Sequence, residues 1–358
     1  MKKTFLLLVI FFISLSNGFS QDKNQEAQSL LDDLMNRNIT AGVVAGYSVD
    51  GKTIWKSAAG YADRESKTPM SPNTITRIAS ITKAFTAIAV MQLVEQDLVN
   101  IDDPIQKYVP SFPNKKKGTI TVRHLLEHSS GIDGYKNNKE RETQKEYPRL
   151  TDAMNVFKNR KLKFKPGTDY SYTTYGYVVL GVLIENVSGV TYEAYIQKNI
   201  FDKAGMSNTK LEIFGVIVSN KSALYSKRKN GIKKVPTNNL SNRIPAGGYY
   251  STVDDMLAFG NAIIENKLIK ESTLNLMTQN NGLKKEGNPQ GFGWFLYGGK
   301  PNHAAAIGHS AGQTGVSGQL LIVPKTKTVS ITLANTSRVW GETFVACAKL
   351  IGISKKSE

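Results

Sequence analysis

Strand-like patterns stand at both ends of this 358-residue chain and helical patterns fill its middle, a distribution that limits the fold more than any composition figure. "AGVVAGYSVDGKTIWKSAAGYAD", residues 41–63, reads as two strands around Asp50-Gly51, because Asp-Gly suits the left-handed residues of a tight hairpin turn. Strands return from Gly291 as "GFGWFLYGG", "HAAAIGHSAG", "GQLLIVP" and "KTVSITLAN", with Pro324, Lys325 and Lys327 turning the last pair. Between them, residues 100–245 mix short helical patterns with loops rich in Lys, Asn, Pro and Gly and sustain no strand. Helical periods mark Gln25–Asn36, Ser80–Gln96 and Gly341–Ile351. The second of these sets Ile81, Ala84, Phe85, Ile88, Met91 and Leu93 on one apolar side. The expectation is an α+β lobe (about 21–99 and 246–358) whose sheet the C-terminal third completes, with a helical insertion lobe over about 100–245. A cleft between lobes is where a ligand would sit.

Residues 1–20 read as an address rather than as structure. Lys2 and Lys3 precede an apolar run from Phe5 to Leu15, and Ser16–Ser20 form a small, polar exit. The run is short for a bilayer span, so the expectation is a secretory signal cleaved near Ser20 or Gln21 and a periplasmic or secreted product without a stable membrane anchor. An uncleaved anchor is the alternative; no Cys offers a lipid attachment point there.

The formal charge is +17, and without Lys2 and Lys3 the 44 remaining basic residues exceed the 29 acidic ones by 15. Nucleic acid is not the expected partner, because the lysines are scattered and no reader motif accompanies them. An exported protein facing anionic envelope polymers fits at least as well, and the expectation is simply a solvated basic surface. Cys347, the only cysteine, lies in the apolar run "TFVACAKLIGI" and reads as a packing residue. The chain is long enough to build a core without disulfides.

"RIASITKAF", residues 77–85, places Ser80 and Lys83 one helical turn apart at the front of an apolar run. A cap and a solvated lysine would explain both residues. A nucleophile with its own base explains them too, and the helix start supplies a backbone N–H where negative charge develops. Two later stretches hold the complementary parts. "FKPGTDYSYTTYGYVVLG" carries Tyr172-Thr173-Thr174 before a helix, and "IGHSAGQTGVSGQL" carries His309-Ser310-Ala311-Gly312 on an expected strand. A tyrosine can shuttle a proton, and a strand edge can supply a second oxyanion N–H.

These three stretches resemble the motifs of the penicillin-recognising serine hydrolases, the beta-lactamase-related group of class C beta-lactamases, D-alanyl-D-alanine peptidases and esterases. "NIDDPIQKYVPSFP", "ITVRHLLEHSSGI", "IPAGGYYSTVDDMLAFGNAI" and "GFGW" extend the resemblance over almost the whole chain. "YTTYGY" and "RIPAGGYYST" are most similar to its LACTB-like serine peptidase branch. The resemblance implies a beta-lactamase/transpeptidase-like fold, an antiparallel sheet flanked by helices with a mostly helical second lobe. It implies Ser80 as acylated nucleophile, Lys83 as its proton partner, Tyr172 as catalytic tyrosine, His309 as the basic residue of the third motif and Gly312 as second oxyanion donor. It implies no cofactor. The substrate expected is a small molecule or peptide, cell-wall derived in one reading, and a peptide or ester bond in preference to a beta-lactam.

Two positions depart from the family pattern. Thr174 stands where many relatives have Asn, and Ala311 stands where the third motif usually has Gly. A rival reading starts from "HLLEH", residues 124–128, which matches a zinc-peptidase pattern. His124 and His128 would bind the metal, Glu127 would act as base, and Glu185 or Glu193 would complete the set. In the resemblance these histidines are structural. A third class, a non-catalytic envelope-binding relative, is disfavoured by the presence of Ser80, Lys83, Tyr172 and His309 together.

Overall fold

The computed structural model describes residues 22–300 and 303–355, so the signal read at 1–20 lies outside the described residues. Its centre is a seven-stranded antiparallel sheet. The strands are β1 (Gly42–Val49), β2 (Lys52–Asp63), β3 (Thr68–Pro69), β4 (Phe295–Lys300), β5 (His303–Gln313), β6 (Val316–Val323) and β7 (Thr328–Ala334), in the order β3-β2-β1-β7-β6-β5-β4. The β1–β2 hairpin turns at Asp50 and Gly51, both at positive φ. β1 pairs with β7 from Val43↔Ala334 to Val49↔Thr328, so the C-terminal third completes the sheet.

The sheet is covered on both faces. Every residue of β6 and β7 is buried, which accounts for their nearly continuous apolar runs. One face holds a helix at 22–36 (α1) and the C-terminal helix α5 (Trp340–Lys355), through Leu31, Leu34, Val339 and Leu350 with Val43 and Tyr47 of β1. Cys347 of α5 is fully buried beneath β6 and β7, with its sulfur 3.0 Å from Ser330 Oγ and 3.2 Å from Gln319 O. Burial pushes its thiol up to about 12.

The other face carries α2 (Thr82–Glu95) and α4 (Val253–Ile264), the latter pressed so closely that Gly260 leaves no room for a side chain beside Val329. The sequence predicts an amphipathic α2 with one apolar side. The helix is instead buried on all sides from Thr82 to Leu93, because α3 (Thr174–Ser188) and the segment 244–247 close over it. A helix apolar all round belongs in a core, and here the buried Lys83, Thr86 and Gln92 each donate or share a hydrogen bond, whereas the buried Thr82 hydroxyl has no partner.

Residues 100–245 are mostly helical turns and loops around α3, with two departures: Lys210–Leu211 pairs with Tyr249–Tyr250, and a hairpin follows. Tyr225–Arg228 and Gly231–Lys234 form a short hairpin, turned by Asn230-Gly231 with Gly231 at φ 94°. Each arm is four residues long, too short to stand out among the surrounding lysines. Among the described residues no helix is long and apolar enough to cross a membrane.

Candidate active site

Ser80 sits at the hinge between β-sheet and helix. Ala79–Ile81 form a single 3₁₀ turn leading into α2, and Ala79 takes the left-handed φ of 45°. A non-glycine residue in that region is strained, and such strain persists only where the surroundings enforce it. Ala79 and Ile81 are fully buried on either side, so the turn holds Ser80 at the surface of a cavity of about 660 Å³. Tyr172, Thr174 and Gly312 line the same cavity.

Lys83 lies directly behind. Its Nζ is 3.1 Å from Ser80 Oγ and donates to Ala246 O at 2.9 Å. The side chain is fully buried, with no carboxylate in contact among the described residues. Burial, assisted by the Arg243 guanidinium, holds the amine well below the usual lysine range. An uncompensated buried ammonium is costly, so the neutral amine is favoured. That amine keeps one lone pair, into which Ser80 Oγ can donate.

Tyr172 completes the group. Its hydroxyl hydrogen-bonds Ser80, and its ring lies 4.9 Å from Lys83 Nζ. Tyr172 lines the cavity and is 38% exposed. Burial raises the phenol above its ordinary value, and the Ser80 hydrogen bond opposes part of that rise. The resting tyrosine is therefore protonated.

His309, expected as the basic residue of the third motif, sits where burial favours its neutral form. It is fully buried on β5, its Nδ1 is 2.9 Å from Ser310 O and its Nε2 has no partner. Burial and the nearby Lys83 lower it to about 3. It packs 6.2 Å from the Tyr172 ring and 5.2 Å from Phe295. Ala311, also fully buried, joins the main core, whereas Gly312 is open to the cavity with nothing near the space a side chain would fill.

The zinc geometry is not formed. The helix Val122–Leu126 stops before His128, which adopts φ 60°, so His124 and His128 do not share a helical face. His124 Nδ1 accepts from Thr121 N in the helix cap, and Glu127 accepts from Ser129 Oγ at 2.7 Å. Among the described residues no three potential metal ligands cluster. His128 joins the serine site instead. Its ring is 4.4 Å from Tyr172 and 5.1 Å from Tyr177, and its Nδ1 accepts from Thr173 N.

Two more residues of the site stand at the head of stretches quoted above without being singled out there, Arg77 in "RIASITKAF" and Arg243 in "RIPAGGYYST". Arg243 lines the cavity beside Ser80, almost fully buried, its guanidinium 4.7 Å over the Tyr135 ring. Arg77, fully buried, holds the wall by donating to Asn238 Oδ1 and Thr314 O and by pairing with Glu212 at 2.6 Å. A basic chain reads as basic surface, and nothing in residue type distinguishes these two from the solvated majority.

Buried neutral histidines make stability depend on pH. His309 binds its proton at about 3 when folded but near 6.5 when unfolded. Between those values the unfolded state binds more protons, so stability falls as pH drops through that window. His309 alone is expected to cost about 2 kcal/mol between pH 7 and pH 5, and His128, shifted the same way, adds to it. Thermal melts at pH 7.5 and 5.0 should show this loss, with a shallower slope in His309→Gln; equal slopes would contradict it.

A family model described as Beta-lactamase matches residues 27–344. The human serine beta-lactamase-like protein LACTB, mitochondrial, is 30% identical over 324 residues, covering 71% of this chain. The chain spans only 59% of that relative's length. Penicillin-binding protein 4* of Bacillus subtilis is 27% identical over 84% of this chain and 69% of its own. Among solved structures, the octameric penicillin-binding protein homologue from Pyrococcus abyssi superposes with a TM-score of 0.78 at 28% identity, covering 92% of this chain and 77% of that one. The D-amino acid amidase from Ochrobactrum anthropi shares the fold, with a TM-score of 0.82 over 94% of this chain and all of the amidase at 22% identity. With the family model covering the sheet, α2 and the cavity wall alike, the chain belongs to the beta-lactamase family.

Proposed function

We propose that the chain is an exported acyl-transfer hydrolase in which Ser80 is acylated and Lys83 is the base. The observation that carries this is the neutral-favoured Lys83 amine 3.1 Å from Ser80 Oγ. Ser80 Oγ attacks the substrate carbonyl while its proton passes to Lys83 Nζ. The carbonyl oxygen takes the negative charge between the N–H groups of Ser80 and Gly312. Tyr172, protonated at rest, donates to the departing group and regains a proton from Lys83. Water then attacks the acyl-enzyme by the reverse route, releasing the acid and Ser80. The apolar leader at 1–20 supports export to the periplasm or beyond; intact-mass analysis of secreted protein tests it, and a chain retaining Met1 would refute release.

The base assignment sets the pH dependence. Only the unprotonated Lys83 can accept the Ser80 proton, so kcat/KM should rise with pH through the lowered lysine value and level off above it. The plateau should begin well below the ordinary lysine range near 10.4. A profile still climbing at pH 10 would remove Lys83 as base.

Peptides and esters are the favoured substrates, rather than beta-lactams, and the support is Thr174. A single short hydroxyl replaces a side-chain amide at the cavity wall, costing one hydrogen bond to an acylamino group, roughly 0.5–1.5 kcal/mol. A chromogenic cephalosporin should therefore show kcat/KM at least about tenfold below a p-nitrophenyl ester, and Thr174→Asn should narrow the gap. Comparable rates on both substrates in the unmodified enzyme would reject this preference.

A further inference from the structure

Tyr172 belongs to no helix or strand. It lies near the end of an irregular run, 161–173, one residue before the Thr173 cap of α3. A side chain on such a run has no regular backbone to aim it, so whatever holds its flanks decides where its hydroxyl points. His128 holds both flanks. Its carbonyl accepts from Ser171 N at 3.0 Å, and its Nδ1 accepts from Thr173 N at 3.3 Å. Its ring lies 4.4 Å from the Tyr172 ring, nearer than His309 at 6.2 Å or Phe295 at 6.4 Å. The same ring packs 5.1 Å from Tyr177, whose hydroxyl donates to Leu126 O at 2.8 Å. One residue thus grips the backbone on either side of the tyrosine and the tyrosine ring itself.

The backbone shows what keeping a histidine there entails. The helix Val122–Leu126 ends at Glu127, and His128 N bonds back to Leu125 O. His128 therefore takes the left-handed position after a helix that glycine usually fills, at φ 60° and fully buried. Glycine would make this turn without strain, but it would supply neither the ring nor the Nδ1 acceptor. Strain of this kind persists where the surroundings enforce it and clusters at functional sites. The turn continues the same role: Ser129 O accepts from Gly167 N at 2.9 Å and Gly131 O accepts from Lys163 N at 2.8 Å. Residues 128–131 thus anchor the irregular run at both ends, with His128 at the end that carries Tyr172.

We propose that His128 is the positioning residue of the reacting tyrosine, fixing Tyr172 against Ser80 and Lys83 so that the phenol can protonate the departing group. The inference deepens the hydrolase reading and rests on it for the role of Tyr172. In acylation of an ester, the C–O bond of the tetrahedral adduct breaks as the departing oxygen takes the Tyr172 proton. Lys83 then returns to the phenolate the proton it took from Ser80. A misaimed phenol slows this step most where the departing oxygen needs a proton most.

The test compares two esters of N-acetylphenylalanine in the full chain by kcat/KM, which reports acylation. p-Nitrophenolate leaves without a proton, whereas ethoxide needs one. Tyr172→Phe sets the signature, a loss at least about tenfold larger on the ethyl ester than on the p-nitrophenyl ester. His128→Phe keeps a ring but leaves the Thr173 N–H without its acceptor, and should show the same skew at smaller size. His128→Asn suits the left-handed backbone and restores an acceptor oxygen, so it should recover part of the ethyl-ester rate. Equal losses on the two esters in both His128 variants, or loss of cooperative melting in both, would reduce His128 to a structural residue and overturn the proposal. Absence of the skew in Tyr172→Phe would refute the Tyr172 reading and this inference with it, which tells the two failures apart.

Discussion

Ser80→Ala is expected to lower kcat/KM on an activated ester by at least about a thousandfold and to abolish the acyl-enzyme mass adduct. No neighbouring hydroxyl can stand in, because the Tyr172 phenol is held above its ordinary value and carries its proton. Lys83→Met should cost a comparable factor, since the 3.1 Å contact gives the Ser80 proton a route into a free lone pair. The double variant should be little worse than either single one, because residues acting as one unit are not additive. Full turnover in Ser80→Ala would end the assignment, and simple addition of the two losses would show that they act separately.

The second large effect concerns stability. Arg77→Ala should destabilise the protein by roughly 3–5 kcal/mol, the cost of leaving a buried charge uncompensated. Arg77 and Glu212 are paired at 2.6 Å with side-chain exposures of 0% and 6%. Lys221, 2.9 Å from Glu212, can neutralise part of the abandoned carboxylate, which places the expected loss toward the lower end. Arg77 also pins Asn238 and Thr314 on the cavity wall. KM should therefore rise together with the fall in melting temperature, whereas Glu212→Gln should affect stability more than KM. Denaturant unfolding of both variants checks this, and a change below 1 kcal/mol would show that the pair is dispensable.

Much of the fold could be read in the residues because its signals are local. The Asp50-Gly51 hairpin, the four C-terminal strands and the terminal helices follow from turn chemistry and from apolar runs, with bounds shifted by a few residues. "GFGW" was expected within a strand, yet the strand begins only at Phe295. Gly293 at φ 79° packs where any side chain would strike Ala87, so the segment bends to bury Trp294. Ser80, Lys83 and Tyr172 were legible through their motif contexts, and the structure brings them within one hydrogen-bonded group. What stayed hidden was tertiary. The charge of His309 depends on burial beside Lys83, the contact of His128 with Tyr172 depends on where a helix stops, and the partners of Arg77 lie far away in sequence.

The pairing of β1 with β7 also sets the order in which the chain can be built. Val43 must wait for Ala334, 291 residues later, and at about 5–20 residues per second synthesis alone takes roughly 15–60 s to deliver it. Throughout that interval the first hairpin presents an unpaired, apolar edge, the kind of surface that templates wrong pairings. Contacts this distant also slow folding once the chain is complete. In a nascent protein of this architecture β1 stays without its β7 partner until the last strands emerge, and a circular permutant that links α5 to α1, so that β7 is made shortly before β1, should fold faster than the natural order.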